Sequence, residues 1–112
     1  MKTIVEYLQK KHIIFKSLRE IDPKVLHSRK QVKIYLGVDL KRYYTMVMYL
    51  GKKSRVVKKE AQVLIFLHEK LEEYLERKIT KKMILINAPL CTKAKSLLEE
   101  SGWKVWQDNA YT

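Results

Sequence analysis

The sequence of 112 residues contains little cysteine, proline or glycine. Its single cysteine, Cys91, excludes a disulfide within the chain and a structural zinc site built from several thiolates. Two prolines and three glycines, in a chain that is 46% hydrophobic, argue against disorder and low-complexity linkers. A domain without disulfides is typical of a reducing compartment, so we expect a cytoplasmic protein.

Long apolar runs and a secretory signal are also missing from the sequence. Segment 1–11 already contains Glu6, a glutamine and lysines, and the apolar runs at 43–50 and 83–86 are far shorter than a bilayer-spanning helix. We therefore expect no membrane partner. The chain length predicts one domain, residues 1–112, with a core of its own.

Acidic residues are scarce in one third of the chain. Between Lys24 and Lys59 there are eleven lysines and arginines and one acid, Asp39, for a net charge of +10. Residues 1–23 contribute +2 and residues 60–112 sum to zero, which accounts for the total of +12. Such a concentration of positive charge repels itself unless a polyanion is close, and nucleic acid is the commonest polyanionic partner. The charge distribution therefore predicts binding to DNA or RNA.

Hydrophobic periodicity predicts an α/β fold with a single mixed sheet. Apolar residues at three- and four-residue spacings predict an N-terminal helix within residues 1–23, which Pro23 ends. Alternating and then continuous apolar residues predict a three-strand antiparallel meander over residues 32–57. Its strands are expected at 32–38, 43–50 and 55–57. A hairpin turn over residues 51–54 would join the last two strands.

Residues 59–107 show the pattern of a helix, a strand, a second helix and a second strand. A wide apolar stripe predicts a long helix over 59–78, followed by a strand at 83–87. Thr92 is a good N-cap for the second helix, and the second strand is expected at 103–107. Because strands joined through a helix usually run parallel, this part of the chain predicts a parallel βαβ unit.

The segment Gly37-Val38-Asp39, at the end of the first predicted strand, resembles the opening of the ribonuclease H-like fold. The order βββαβαβ after residue 31 matches that superfamily as well. There, a Gly-x-Asp near the end of a first, central strand presents a metal-binding carboxylate, so the resemblance implies that Asp39 binds Mg²⁺ and is catalytic in a nuclease. The family's next acid would fall near the end of the fourth strand, where this chain has Asn87-Ala88. Two-metal catalysis needs several converging carboxylates, and Asp39 is the only acid in the basic segment.

A second resemblance is to restriction-endonuclease-like proteins, whose core runs α-βββ-α-β and includes an N-terminal helix. Those enzymes place an acid on one strand and Glu-x-Lys on the next, whereas the predicted strands 43–50 and 55–57 contain no acid. This resemblance therefore implies the fold without its catalytic set. Beside both resemblances, Asp39 can be a turn residue whose carboxylate accepts hydrogen bonds from nearby backbone N–H groups.

Lysines and arginines at the turns of the meander form the predicted nucleic-acid site. They are Arg29, Lys30, Lys41, Arg42, Lys52, Lys53, Arg55, Lys58 and Lys59. Lys41 and Arg42 should lie at the opposite end of strand 43–50 from the denser group at 51–59. That denser group adds positive charge to the start of the long helix, where phosphate binds readily. The alternative interpretation is a solvated, lysine-rich surface.

Three functions agree with these features. We expect a small nucleic-acid-binding protein that contacts phosphates through the basic meander and needs no cofactor. The second hypothesis is a Mg²⁺-dependent nuclease, or a degenerate nuclease-like domain, centred on Asp39. The third is a subunit whose basic face meets an acidic protein partner. The sequence leaves the oligomeric state open, with a homodimer among the options.

Overall fold

The computed structural model of the protein describes residues 4–26, 28 and 32–107. Along these residues the elements are α1 (Ile4–Lys10), β1 (Ser17–Ile21), a 3₁₀ helix (Pro23–Leu26), β2 (Lys33–Val38), β3 (Tyr44–Gly51), α2 (Lys58–Leu75), β4 (Lys81–Asn87), α3 (Thr92–Glu100) and β5 (Trp103–Gln107). The predicted site residues Arg29 and Lys30 lie outside the described residues.

The strands form one mixed sheet in the order β1-β2-β3-β4-β5. β1, β2 and β3 are antiparallel neighbours, and β3, β4 and β5 run parallel. This architecture confirms the predicted α/β class, with a three-strand meander, a long helix and a parallel βαβ unit. β3 lies at the centre, which agrees with its continuous apolar sequence, since a central strand is buried on both faces.

Side chains on the two faces of the sheet form two separate hydrophobic clusters. The larger cluster lies under α2 and α3, where Met48 and Ile84 of the sheet join Leu64 of α2. The smaller lies on the other face, where Leu8 of α1 joins Val47. Neighbouring residues of β3 therefore point to opposite faces, as the period of two requires. Both faces of the sheet therefore hold apolar clusters. Of the predicted cations, Lys41, Arg42, Lys52, Lys53 and Arg55 lie in the connections at the two ends of β3.

The predicted N-terminal helix over 1–23 is wrong beyond Lys10. The helix α1 ends there, and residues Ser17–Ile21 form β1, a strand at the edge of the sheet. Leu18 and Ile21 stand three apart, which suggests a helix, but in β1 they belong to the clusters on opposite faces. The strand forms because its backbone pairs with β2 in antiparallel register, and local periodicity does not show such a long-range partner.

The predicted third strand at 55–57 and the hairpin turn before it are wrong as well. Residues 52–57 form the connection from β3 to α2, and Val56 makes an isolated β-bridge with Leu90 in the loop before α3. Val56 is fully buried, and its backbone N–H and carbonyl both bond to that loop, at 2.8 and 2.9 Å. The meander consists of β1, β2 and β3 instead. The bridge holds the start of α2 beside the start of α3.

The order of elements predicted for 59–107 is confirmed, because α2, β4, α3 and β5 follow one another. The N-cap of α3 is Cys91 rather than the predicted Thr92. α2 ends at Leu75 rather than residue 78, since Glu76 takes the left-handed conformation with φ 52°. Its N–H still donates to the Glu73 carbonyl at 3.2 Å, which closes the last turn. In the described part of the chain, none of the helices has the length and hydropathy of a membrane-spanning segment.

Candidate nucleic-acid interface

Basic residues around the β3–α2 connection lie together at one end of the sheet. β3 and β4 are parallel, so the connections that leave them lie at the same edge, and the Val56–Leu90 bridge joins the two. We call the cations of the first connection and of the start of α2 the basic cluster. Its members are Lys52, Lys53, Arg55, Lys58 and Lys59. The structure thus places five of the predicted site residues in one region.

Most of the basic cluster is exposed, although Lys58 shares a small pocket with Glu100. Half-buried Lys52 forms a salt bridge with the Glu60 carboxylate. The other four side chains are exposed, and none of them makes an ion pair with another described residue. The cluster therefore presents four positive charges to solvent, and a phosphate would relieve their mutual repulsion.

The first turn of α2 lacks the residues that normally stabilise the start of a helix, and its residues suit a bound anion instead. Its N-cap is Val57, whose side chain makes no capping hydrogen bond, where a polar cap would stabilise the helix by about 1 kcal/mol. Lys58 and Lys59 occupy the first turn, where acids are normally favoured, and the acid that is present, Glu60, bonds to Lys52. Open N–H groups at a helix start, with cations around them, form a binding site for phosphate.

The start of α3 adds a cation and a thiol to the same edge. The N–H groups of Ala94 and then Lys93 lower the pKa of the Cys91 thiol, and the positive charges of Arg55 and Lys93 lower it further. Lys93 also lines a small pocket together with Lys58, so it lies beside the start of α2. Sequence reasoning missed Lys93 as a site residue. Its position in the first turn of a helix that follows a parallel strand is the signal that would have found it.

The β2–β3 turn holds Lys41 and Arg42 at the other end of β3. β3 has eight residues, so its two ends lie about 23 Å apart at about 3.3 Å per residue. The structure therefore does not bring these two residues into the basic cluster. One ligand contacts both regions only if it extends along β3.

Asp39 begins this turn, and its carboxylate is occupied by hydrogen bonds. Its Oδ1 accepts from the backbone N–H of Tyr43 at 2.8 Å and of Lys41 at 2.9 Å, and its Oδ2 accepts from the Lys81 ammonium at 3.1 Å. The hydrogen bond from Tyr43, with those from Lys81 and Lys41, holds the pKa of Asp39 below its usual value. This is the geometry of a turn residue. The catalytic, Mg²⁺-binding role of Asp39 stays a prediction.

Acidic side chains are also sparse where a metal site would need them. Among the described residues, no group of three His, Cys, Asp or Glu side chains could hold a metal ion. With the strands placed, β2 reads KIYLGV and β3 reads YTMVMYLG, so neither strand contains Asp or Glu. The acid and the Glu-x-Lys that the restriction-endonuclease-like resemblance implies on successive strands are therefore absent from both.

The fold is similar to solved structures of EndoMS and of a repair endonuclease. EndoMS in its apo form matches with a TM-score of 0.58 and 16% identity over 94% of this chain and 44% of that chain. The complex of EndoMS with dsDNA2 matches with a TM-score of 0.52 and 18% identity, over 94% and 42%. A repair endonuclease from Pyrococcus abyssi matches with a TM-score of 0.54 and 15% identity, over 96% and 47%. This chain therefore spans less than half the length of each of them.

No protein-family model matches the sequence, and no curated protein matches it significantly. The similar structures support the restriction-endonuclease-like resemblance at the level of the fold. The ribonuclease H-like resemblance is not confirmed. In that fold the strand with Gly-x-Asp is first and central, whereas here Gly37 lies on β2, the second strand, and β3 is central.

Proposed function

We propose that this chain is a DNA-binding domain that contacts duplex phosphates through the basic cluster, without cleaving the DNA. The observation that supports this most is the set of four exposed cations, unpaired among the described residues, at the uncapped start of α2. Lys93, at the start of the neighbouring helix, extends the set. We place binding before cleavage because β2 and β3 contain no acid, which leaves Glu20 of β1 as the one acid within the described strands of the meander.

Duplex DNA is the ligand to test first. One of the structurally similar proteins, EndoMS, has been solved in a complex with double-stranded DNA. Phosphate contacts are independent of sequence, so we expect similar affinity for unrelated duplexes at the same salt concentration. Each phosphate that the protein neutralises makes the slope of log affinity against log salt more negative by about 0.9. Four cations therefore predict a slope of about −4 from the basic cluster alone.

The decisive experiment measures that slope for wild type and two matched variants, using fluorescence anisotropy on a duplex of about 20 base pairs. The first variant replaces Lys53, Arg55, Lys58 and Lys59 with glutamine. The control variant also removes four exposed cations, but away from the basic cluster: Lys10, Arg19, Lys24 and Lys104.

We expect the first variant to lose at least tenfold in affinity and about four units of slope, because its phosphate contacts are gone. The control variant has the same net charge as the first variant, but it should change the slope by less than about one unit. Equal losses in the two variants would reject the basic cluster as the binding surface, since net charge alone would then explain the binding.

A Mg²⁺-dependent nuclease is the second candidate, favoured by the similarity to repair endonucleases. Asp39 would be its metal ligand. The carboxylate would first have to exchange the Lys81 ammonium and two backbone N–H groups for the ion. Binding without cleavage needs no such rearrangement, which is why we place it first.

A further inference from the structure

A second basic region surrounds a pocket of about 470 Å³ at the other end of the sheet. We call it the Arg42 pocket. Its lining residues are Lys16, Ser17, Val38, Arg42, Tyr44 and Arg77. The lysine and the two arginines are exposed, and the described lining contains no acid, so three positive charges face one opening.

Three neighbouring strands form one wall of the Arg42 pocket. Ser17 of β1 pairs with Val38 of β2, and Val38 pairs with Tyr44 of β3. The backbone N–H of Lys16 donates to the Val38 carbonyl at 2.7 Å, which holds the approach to β1 against the end of β2. Lys16 precedes β1 and Arg42 precedes β3. Only β2 lies between these two strands, at about 4.8 Å from each of them.

Arg42 is positioned by the turn that Asp39 organises. Its backbone N–H donates to the Asp39 carbonyl at 3.0 Å, and the Asp39 carboxylate bonds the N–H groups on either side of it, those of Lys41 and Tyr43. Arg42 has φ 69°, a left-handed conformation that is strained for a side chain of this size and normally favours glycine or asparagine.

Arg77 reaches the Arg42 pocket from the end of α2. Its guanidinium lies 4.4 Å from the centre of the Tyr44 ring, so one face is covered. Among the described residues no carboxylate pairs with it, and its N–H donors can bind an oxyanion in the bidentate manner. The carboxylates near the end of α2, those of Glu72, Glu73 and Glu76, do not line the pocket. Residues 16, 42 and 77 thus converge on one space although they are far apart in the sequence.

We propose that the Arg42 pocket binds a phosphate group through Lys16, Arg42 and Arg77, with the Ser17 hydroxyl as a neutral donor. The phosphate belongs either to a nucleic-acid backbone or to a free phosphate compound, and both present the same oxyanion. The pocket shares no residue with the basic cluster and lies about 23 Å from it, so this inference stands independently of the proposed function.

Inorganic pyrophosphate is the probe, because it supplies the oxyanion without a base or a sugar. Its dissociation constant is measured by isothermal titration calorimetry for wild type, for R42Q/R77Q and for a control variant, K24Q/K104Q, that removes two exposed cations elsewhere. We expect R42Q/R77Q to weaken binding at least tenfold and the control to weaken it less than twofold. Equal weakening in both variants, or none in R42Q/R77Q, would overturn the proposal.

Because Arg77 packs on Tyr44, the double variant is first checked by circular dichroism and thermal unfolding. The variant K16Q leaves that contact intact and provides a second test, with an expected weakening of at least threefold. If K16Q binds pyrophosphate as tightly as wild type, the three-cation site is rejected, whatever the double variant does.

Duplex binding by the same variants identifies the source of the phosphate. If R42Q/R77Q weakens duplex binding as well, and pyrophosphate competes with the duplex, the pocket holds a backbone phosphate. If R42Q/R77Q weakens the binding of pyrophosphate but not of the duplex, the pocket holds a free phosphate compound. Either result supports the site, and neither depends on the Lys53, Arg55, Lys58 and Lys59 variant that tests the proposed function.

Discussion

The carboxylate of Asp39 accepts a hydrogen bond at 3.1 Å from the ammonium of Lys81, which lies 42 residues further along the chain. Asp39 follows β2 and Lys81 begins β4, so this contact spans the start of β3, where Thr45 pairs with Lys81. It joins the antiparallel half of the sheet to the parallel half. The same carboxylate holds the turn that positions Arg42, so one acid serves both stability and the Arg42 pocket.

Acid should weaken the protein through Asp39. Its pKa is lowered in the folded state, chiefly by the Tyr43 N–H, so its stabilisation is complete above the unfolded value near 3.8 and is lost as the pH falls through the lower folded value. Asparagine keeps the oxygen that caps the turn but has no charge for Lys81. We expect Asp39→Asn to reduce the free energy of unfolding at neutral pH and to make no difference at a pH below the folded pKa, measured by urea unfolding. A constant difference between the two proteins at all pH values would contradict this.

Asp39→Asn also tests the nuclease hypothesis. The proposed function predicts that wild type binds a duplex without Mg²⁺-dependent or Mn²⁺-dependent cleavage, and that Asp39→Asn binds with the same salt slope. A gel assay of a labelled duplex with each metal, and with a chelator as control, measures the cleavage. Cleavage by wild type that Asp39→Asn abolishes would replace the binding proposal with the nuclease.

Gly37 is required by packing rather than by metal binding. A Cβ at this position would lie 2.8 Å from two carbons of the Phe15 ring, which is closer than van der Waals contact allows. We expect Gly37→Ala to lower the free energy of unfolding by about 1–3 kcal/mol. In a Phe15→Leu background the same change should cost clearly less, because the ring is gone. A double-mutant cycle by urea unfolding measures the coupling, and additivity would argue against the packing explanation.

The alkylation rate of Cys91 should show whether DNA occupies the basic cluster. Its thiol pKa is lowered by the N–H groups of Ala94 and Lys93 and by the charges of Arg55 and Lys93, so it holds more thiolate near neutral pH than an ordinary cysteine. We expect iodoacetamide to alkylate it readily in the free protein and several-fold more slowly with saturating duplex, followed by mass spectrometry. The Lys53, Arg55, Lys58 and Lys59 variant should show little protection at the same duplex concentration. Full-rate alkylation of the wild-type complex would place the DNA elsewhere.

Local patterns were sufficient for the second half of the fold. The apolar stripe of α2 and the short apolar run of β4 are properties of neighbouring residues, so they can be read from the sequence. β1 has no such signal, because Leu18 and Ile21 suit either structure and pairing with β2 decides between them. For Val56 the error was the opposite, because a strand was predicted where none forms. Its flanking residues suggested a strand, but it contributes a single bridge to Leu90.

The candidate site residues also differ in whether neighbouring positions in the sequence reveal them. The basic cluster lies on contiguous residues, so composition alone was enough to select it. Lys16, Arg77 and Lys93 were not selected, because their positions depend on which strand ends share an edge and on where α2 stops. For Asp39 the sequence left open a turn role and a metal role, and the hydrogen bonds to Lys41 and Tyr43 give it the geometry of the first.

The eight residues of β3 separate the basic cluster from the Arg42 pocket by about 23 Å. Along one strand of B-form DNA, with a rise of about 3.4 Å per base pair, that distance corresponds to roughly seven base pairs. If duplex DNA binds at both regions, fragments shorter than this length would occupy one end of the protein at a time, and longer fragments would contact both ends.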